Sequence, residues 1–170
     1  MQSDIFLEDF EMTENTEKLH SILGRSLVIA TRFDSLCDHA LKLLEFKSSF
    51  SILLPEKDFQ EYVDKLFSKF SSLSNNIDAL TIDNSYKSIL HEARKARNEV
   101  VHSVGKGLTG CLDGKVDEEK FKSYLSDLIV KVAYGDFVIS TILSIINYNQ
   151  LPNYKNDQYQ KKIVNWTLGK

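Results

Sequence analysis

Arg97, Asn98 and His102, in the run Arg97-Asn98-Glu99-Val100-Val101-His102, are the residues whose types and spacing first suggest chemistry. A histidine titrates near neutral pH and can take or give a proton. A guanidinium keeps its charge and offers a fork of donors that fits a phosphate or a carboxylate. Asn98 and His102 stand four residues apart, so on a helix they share one face. His91 and Arg94 lie near that face, and Lys95 and Lys106 add positive charge close to it.

A helix has to carry these groups, and its apolar arc tells how. With Leu90 on a wheel at ~100° per residue, Tyr86, Leu90, Ala93, Val100, Val101 and Val104 fall within one apolar arc. Arg97 falls inside the same arc. A guanidinium there is costly unless it is paired. Arg97 therefore either salt-bridges across the core, with Asp34, Asp38 and Asp136 available on other helices, or it faces a cleft. His102 lies opposite the arc. Alone it would be exposed and do no more than favour the helix C-terminal dipole. An unwound last turn before Gly105, or a second subunit over the polar face, would change that.

The neighbouring elements follow from periodicity. The first helix is predicted over residues 15–47, with Leu19, Leu23, Leu27, Ala30, Phe33, Cys37, Ala40 and Leu44 as its stripe. A second spans 56–73, with an apolar face of Phe59, Val63, Leu66, Phe67 and Phe70. Residues 71–76 then read as a loop, and 79–84 as a turn or an extended link. The motif helix spans 84–104, with Asn84 or Ser85 as N-cap and Gly105 as its stop. A fourth helix begins near Asp117 and ends before Pro152. Phe121, Leu125, Leu128, Val132, Ile139, Leu143 and Ile146 form its stripe. Residues 153–170 form a tail or short helix that packs Tyr154, Tyr159 and Trp166 on the body. The run Gly105-Lys106-Gly107-Leu108-Thr109-Gly110 matches G-x-G-x-x-G, but it follows a helix, so a loop and not a dinucleotide site is expected. The sum is an all-α bundle of four to six helices forming a single domain over residues 1–170, with 1–14 as an acidic lead.

Composition narrows the function. With 170 residues and 42% hydrophobic content the chain can form one real core. Its net charge is -3. A whole-molecule polyanion binder would be basic, so any contact with nucleic acid must rest on a local patch. Cys37 and Cys111 have no metal-ligand spacing, and neither metal nor cofactor is expected. An apolar leader is not evident, which points to a reducing cytoplasm. The most apolar stretch, 128–146, contains Lys131 and Asp136; it reads as a buried helix, and no membrane partner is expected.

An arginine, a polar residue and then a histidine four to six positions on, near a helix end, is the signature of the HEPN superfamily. This chain resembles it in Arg97-Asn98, three residues, His102, and in the preceding Leu90-His91-Glu92-Ala93-Arg94-Lys95-Ala96. The resemblance spans residues 15–150 in architecture and 90–102 in motif. It implies a helical bundle that dimerises so that two motifs face one cleft, and metal-independent cleavage of RNA in a toxin or phage-defence setting. It implies His102 as acid or base, Arg97 on the phosphate, and Asn98 orienting the histidine or donating to phosphate. His91, Arg94, Lys95 and Lys106 are then the expected RNA contacts. One toxin branch places a tyrosine two residues after the histidine, where a nucleotidyltransferase antitoxin modifies it; here Ser103 and Val104 follow, which does not support that regulation. A second implication is a non-catalytic interaction protein, as in the similar mannitol operon repressor family. A third reading is a helical antitoxin or immunity partner whose acidic start, Asp4 to Glu17, meets a basic protein.

Overall fold

The computed structural model describes residues 14–49, 51–69, 71–105 and 116–170. Among them the chain forms six α-helices and one 3-10 turn, with no strand. The helices are α1 (Glu14–Ser48), α2 (Glu56–Ser68), α3 (Leu73–Ala79), α4 (Asn84–His102), α5 (Glu118–Ile146) and α6 (Asn156–Leu168); the 3-10 turn is Ser51–Leu53. The fold is the all-α bundle that the stripes predict.

The centre of the bundle is α5, which packs against α1, α4 and α6. Leu125, Ile129, Val132, Val138 and Ile139 of α5 meet Ile22, Ile29, Phe33 and Cys37 of α1 and Leu90, Ala93, Ala96 and Val100 of α4 in one core. Fully burying a side chain such as Phe33 contributes about 2–3 kcal/mol from apolar transfer alone. Gly135 marks the tightest crossing. A Cβ at this position would stand 2.3 Å from Ala93 Cβ and 2.9 Å from Phe33 Cε2. The missing side chain thus lets α5 approach α4 and α1 together. Among the described residues, α5 is the one helix long and apolar enough to cross a membrane by length and composition. In this fold its buried positions serve as the common wall of the other helices.

Several local expectations are corrected. Leu27 is not in the α1 stripe. It is 38% exposed, and Ser26 is buried in its place, donating its hydroxyl to the Ile22 carbonyl at 2.8 Å. That bond satisfies the serine inside the core side of the helix. The second helix stops at Ser68, and Phe67 faces solvent. Residues 73–79 are helical and not a loop: Ser72 caps α3 by accepting from Asn75 N–H, and Leu73 and Ile77 are buried against the core. The cap of α4 is Asp83, whose carboxylate accepts from Ser85 N–H at 2.8 Å, in place of Asn84 or Ser85. The motif helix ends at His102 with Ser103 as C-cap, earlier than the predicted 104. The fourth helix ends at Ile146, before Pro152 as predicted. The tail does form a helix and packs rings on the body: Tyr154 and Tyr159 stack with centroids 6.2 Å apart and both meet Phe137 of α5, while Trp166 stays 46% exposed. Within the apolar arc of α4, Leu90, Ala93, Val100 and Val104 are buried and Tyr86 is 51% exposed, lying one turn from the helix start. Lys106, Cys111, most of the 105–110 run and the acidic start before Glu14 lie outside the described residues.

Candidate functional site

The C-terminal half of α4 positions the motif. Its apolar side is pinned to α5 by Ala93, Ala96 and Val100, so the polar side is turned away from the core. Arg97 stands at the border. Its Nη2 donates to Asp34 Oδ2 of α1 at 2.6 Å, and its Nη1 donates to Asn98 Oδ1 at 3.1 Å. Its Nε is buried with no hydrogen-bond partner among the described residues. Side-chain exposures of 20% for Arg97 and 33% for Asp34 place this ion pair at a wet edge of the bundle. Of the two readings of Arg97, pairing is what the fold adopts, and Asp34 is the partner among the three carboxylates considered.

His102 sits in the last turn of α4 and is exposed, as the wheel predicts. No hydrogen bond or ion pair reaches it from the described residues. Five residues at ~100° each put Arg97 and His102 about 140° apart around the axis and about 7.5 Å apart along it. One helix therefore does not close these two groups around a single atom. The same arithmetic puts His91, Lys95, Asn98 and His102 within about 60° of one another, as a strip along the helix. Arg94 falls outside that strip. It is half-buried with its Nε unpartnered, so it does not share the face with His102.

The strip is partly occupied by its own salt bridges. His91 Nε2 lies 3.0 Å from Asp78 Oδ1 of α3, which ties the start of the strip to the neighbouring helix. Lys95 Nζ lies 2.6 Å from Glu92 Oε1, and this hydrogen bond draws the Glu92 carboxyl below its ordinary range. Lys95 is exposed and its partner is one turn away, so a polyanion can replace Glu92 at little cost. Glu99, inside the motif, accepts a hydrogen bond from Tyr124 of α5 at 2.7 Å. That bond, with the nearby negative charge, raises the Tyr124 hydroxyl above its usual pKa. Tyr124 thus steadies the motif turn, a link that needs the α4–α5 register and has no local sequence signal.

A second polar centre lies on the other side of α1, among residues that motif reading does not pick out. Asp136 of α5 is fully buried. Arg32 Nε of α1 approaches its Oδ1 to 3.0 Å and its Oδ2 to 3.3 Å, and Tyr159 of α6 donates its hydroxyl to Oδ2. Burial raises the Asp136 carboxyl despite these two partners, and burial together with the carboxylate raises the Tyr159 hydroxyl. Arg32 Nη2 also reaches Ser140 Oγ at 3.3 Å. The available signal was Asp136 itself, a charge inside an apolar run that must find a partner. Which partner it finds depends on the packing of three helices.

Fold and geometry together define an all-α helical bundle with two interhelical arginine–aspartate pairs, one beside the exposed histidine strip. Comparison with family models, curated proteins and solved structures yields no match for this chain.

Proposed function

We propose that the protein is a metal-independent endoribonuclease of HEPN type, a cytoplasmic toxin or phage-defence effector that works as a homodimer. The observation that carries this reading is the strip on α4: an unpartnered, exposed His102 on one face with Asn98, beside an arginine held by Asp34 at the edge of the bundle. In the proposed reaction His102 removes the proton of a ribose 2′-hydroxyl. The 2′-oxygen attacks the adjacent phosphorus and the bond to the 5′-oxygen breaks. The leaving oxygen takes a proton from the second copy's histidine. The products are a 2′,3′-cyclic phosphate and a 5′-hydroxyl. Arg97 stabilises charge on the phosphate by sharing its fork with the substrate, which its position at a wet edge allows. Because Arg97 and His102 point to different sides of one helix, a second copy is what brings an arginine and a histidine to one phosphate.

The pairing of Arg97 with Asp34 also supports a second reading. An arginine committed to a carboxylate suits a non-catalytic interaction or regulatory protein, including an antitoxin or immunity partner, in which the pair is architectural. Two measurements separate the readings. Light scattering at micromolar concentration should give about twice the 19.5 kDa chain mass. Purified protein in EDTA should cut single-stranded RNA and leave DNA of the same sequence intact. A monomer that leaves RNA whole selects the interaction protein.

A further inference from the structure

Two hollows outside the α4 strip share lining residues. One, of about 350 Å³, lies between α1, α5 and the segment leading into α6, with Arg32, Ser140, Ser144, Gln150 and Tyr159 around it. The other, of about 540 Å³, lies between α4, α5 and the start of α6, and is walled by Ile82, Tyr86, Tyr134, Val138, Ile142 and Ile145. Phe137 and Thr141, one turn apart on α5, line both.

The two hollows differ in chemistry. In the smaller one the Arg32 guanidinium is gripped from behind by buried Asp136 and stays half exposed toward the cavity. Serine hydroxyls and the Gln150 amide surround it. An arginine fixed on one edge by a carboxylate presents its other edge as a ready fork for an anion, at little ordering cost. The larger hollow is mostly apolar, with tyrosine rings and aliphatic side chains open to solvent, and the Asp83 carboxylate that caps α4 also lines it. Both volumes fall in the range of small-molecule sites, where an apolar enclosure with a few convergent polar groups is the usual pattern.

We infer that these adjoining hollows form a binding site for a small organic acid, with its carboxylate on Arg32 and its apolar body across Phe137 in the α4–α5 groove. The charge at one end and the apolar wall at the other select an amphipathic anion over a peptide or an inorganic ion. This site is separate from the α4 strip and stands whether or not the protein cleaves RNA.

Isothermal titration of the purified full chain tests it, with indole-3-propionate as the ring acid and octanoate as the alkyl acid. Acetate and the primary amide of each acid serve as controls. Saturable one-to-one binding is expected of both the ring acid and the alkyl acid. Each amide should bind at least about tenfold more weakly than its acid, since it loses the charge-assisted contact with Arg32. Acetate should not bind measurably. Two variants place the ligand: Ser144→Leu fills the anion end, and Tyr86→Glu sets a carboxylate at the apolar end, where Tyr86 is half exposed and contributes little to the core. Each should weaken the ring acid by about tenfold or more, with helix content checked by circular dichroism. Failure of both acids to bind, amides that bind as tightly as acids, or unchanged binding in either folded variant would each overturn the inference. The acid–amide comparison uses the wild-type chain, so it decides even if a variant does not fold.

Discussion

Two residues of α1, Arg32 and Asp34, each close an arginine–aspartate pair, and they do so on different sides of the helix. Asp34 reaches Arg97 of α4 at the wet edge, where both partners keep contact with solvent. Arg32 reaches Asp136 of α5, whose carboxylate is wholly buried and is shared with Tyr159. The contrast teaches what each arginine is free to do. At the Asp34–Arg97 edge both partners touch water, so the guanidinium can exchange its carboxylate for another anion. At the Asp136 centre the buried carboxylate has no such exchange, so Arg32 is fixed and only its outer edge remains for a ligand.

The largest expected effect breaks both regions together. Gly135→Val places a branched side chain where even a Cβ would meet Ala93 and Phe33. It should cost about 3 kcal/mol or more through overpacking and helix separation, read as a large drop in urea midpoint. Next come the two arginines, which sharpen the comparison. Arg32→Ala leaves Asp136 buried without its cation. It should cost about 3 kcal/mol, at the low end for a broken buried pair because Arg32 is itself half exposed. Arg97→Ala leaves Asp34 free to hydrate and should cost only about 1–2 kcal/mol. Thermal melts that reverse this order would mean that the Asp34 edge is the structural one.

A smaller effect lies in pH. Burial raises the Asp136 carboxyl in the folded state, outweighing Tyr159 and Arg32. The folded protein then holds this proton more readily than the unfolded chain does. Such a group contributes stability that is present below its unfolded value, about 3.9, and is lost as pH rises through the folded value. Asp136→Asn removes that titration. The stability of wild type relative to Asp136→Asn should therefore fall as pH climbs above about 4 in stepped urea titrations. A difference that grows with pH would show that Arg32 prevails over burial at this carboxylate.

The bundle itself was legible in the sequence because long stripes such as Leu90, Ala93, Val100 and Val104 repeat at helical spacing over several turns. Short elements were less so. In Ser71-Ser72-Leu73-Ser74-Asn75-Asn76-Ile77 the polar residues read as a loop, and only the burial of Leu73 and Ile77 against α1 and α4 turns it into α3. Asp83, Asn84 and Ser85 are all good caps, and local sequence cannot rank them. At the candidate site, the exposure of His102 and the need of Arg97 for a partner followed from the wheel. The choice of Asp34, 63 residues away, did not. The Arg32–Asp136–Tyr159 centre joins positions 104 and 23 residues apart and needs three helices in place before it exists.

In the proposed reaction His102 moves a proton, and its side chain contributes almost nothing to the fold. His102→Ala should melt within about 0.5 kcal/mol of wild type, as exposed substitutions do. The direct measurement is end-group analysis of single-stranded RNA incubated in EDTA with wild type and with His102→Ala. Wild type should release fragments ending in 2′,3′-cyclic phosphate, and the variant should lose about 10²- to 10⁴-fold in rate with its melt unchanged. Equal cleavage by the two proteins, or RNA left whole by a folded wild-type dimer, would contradict it.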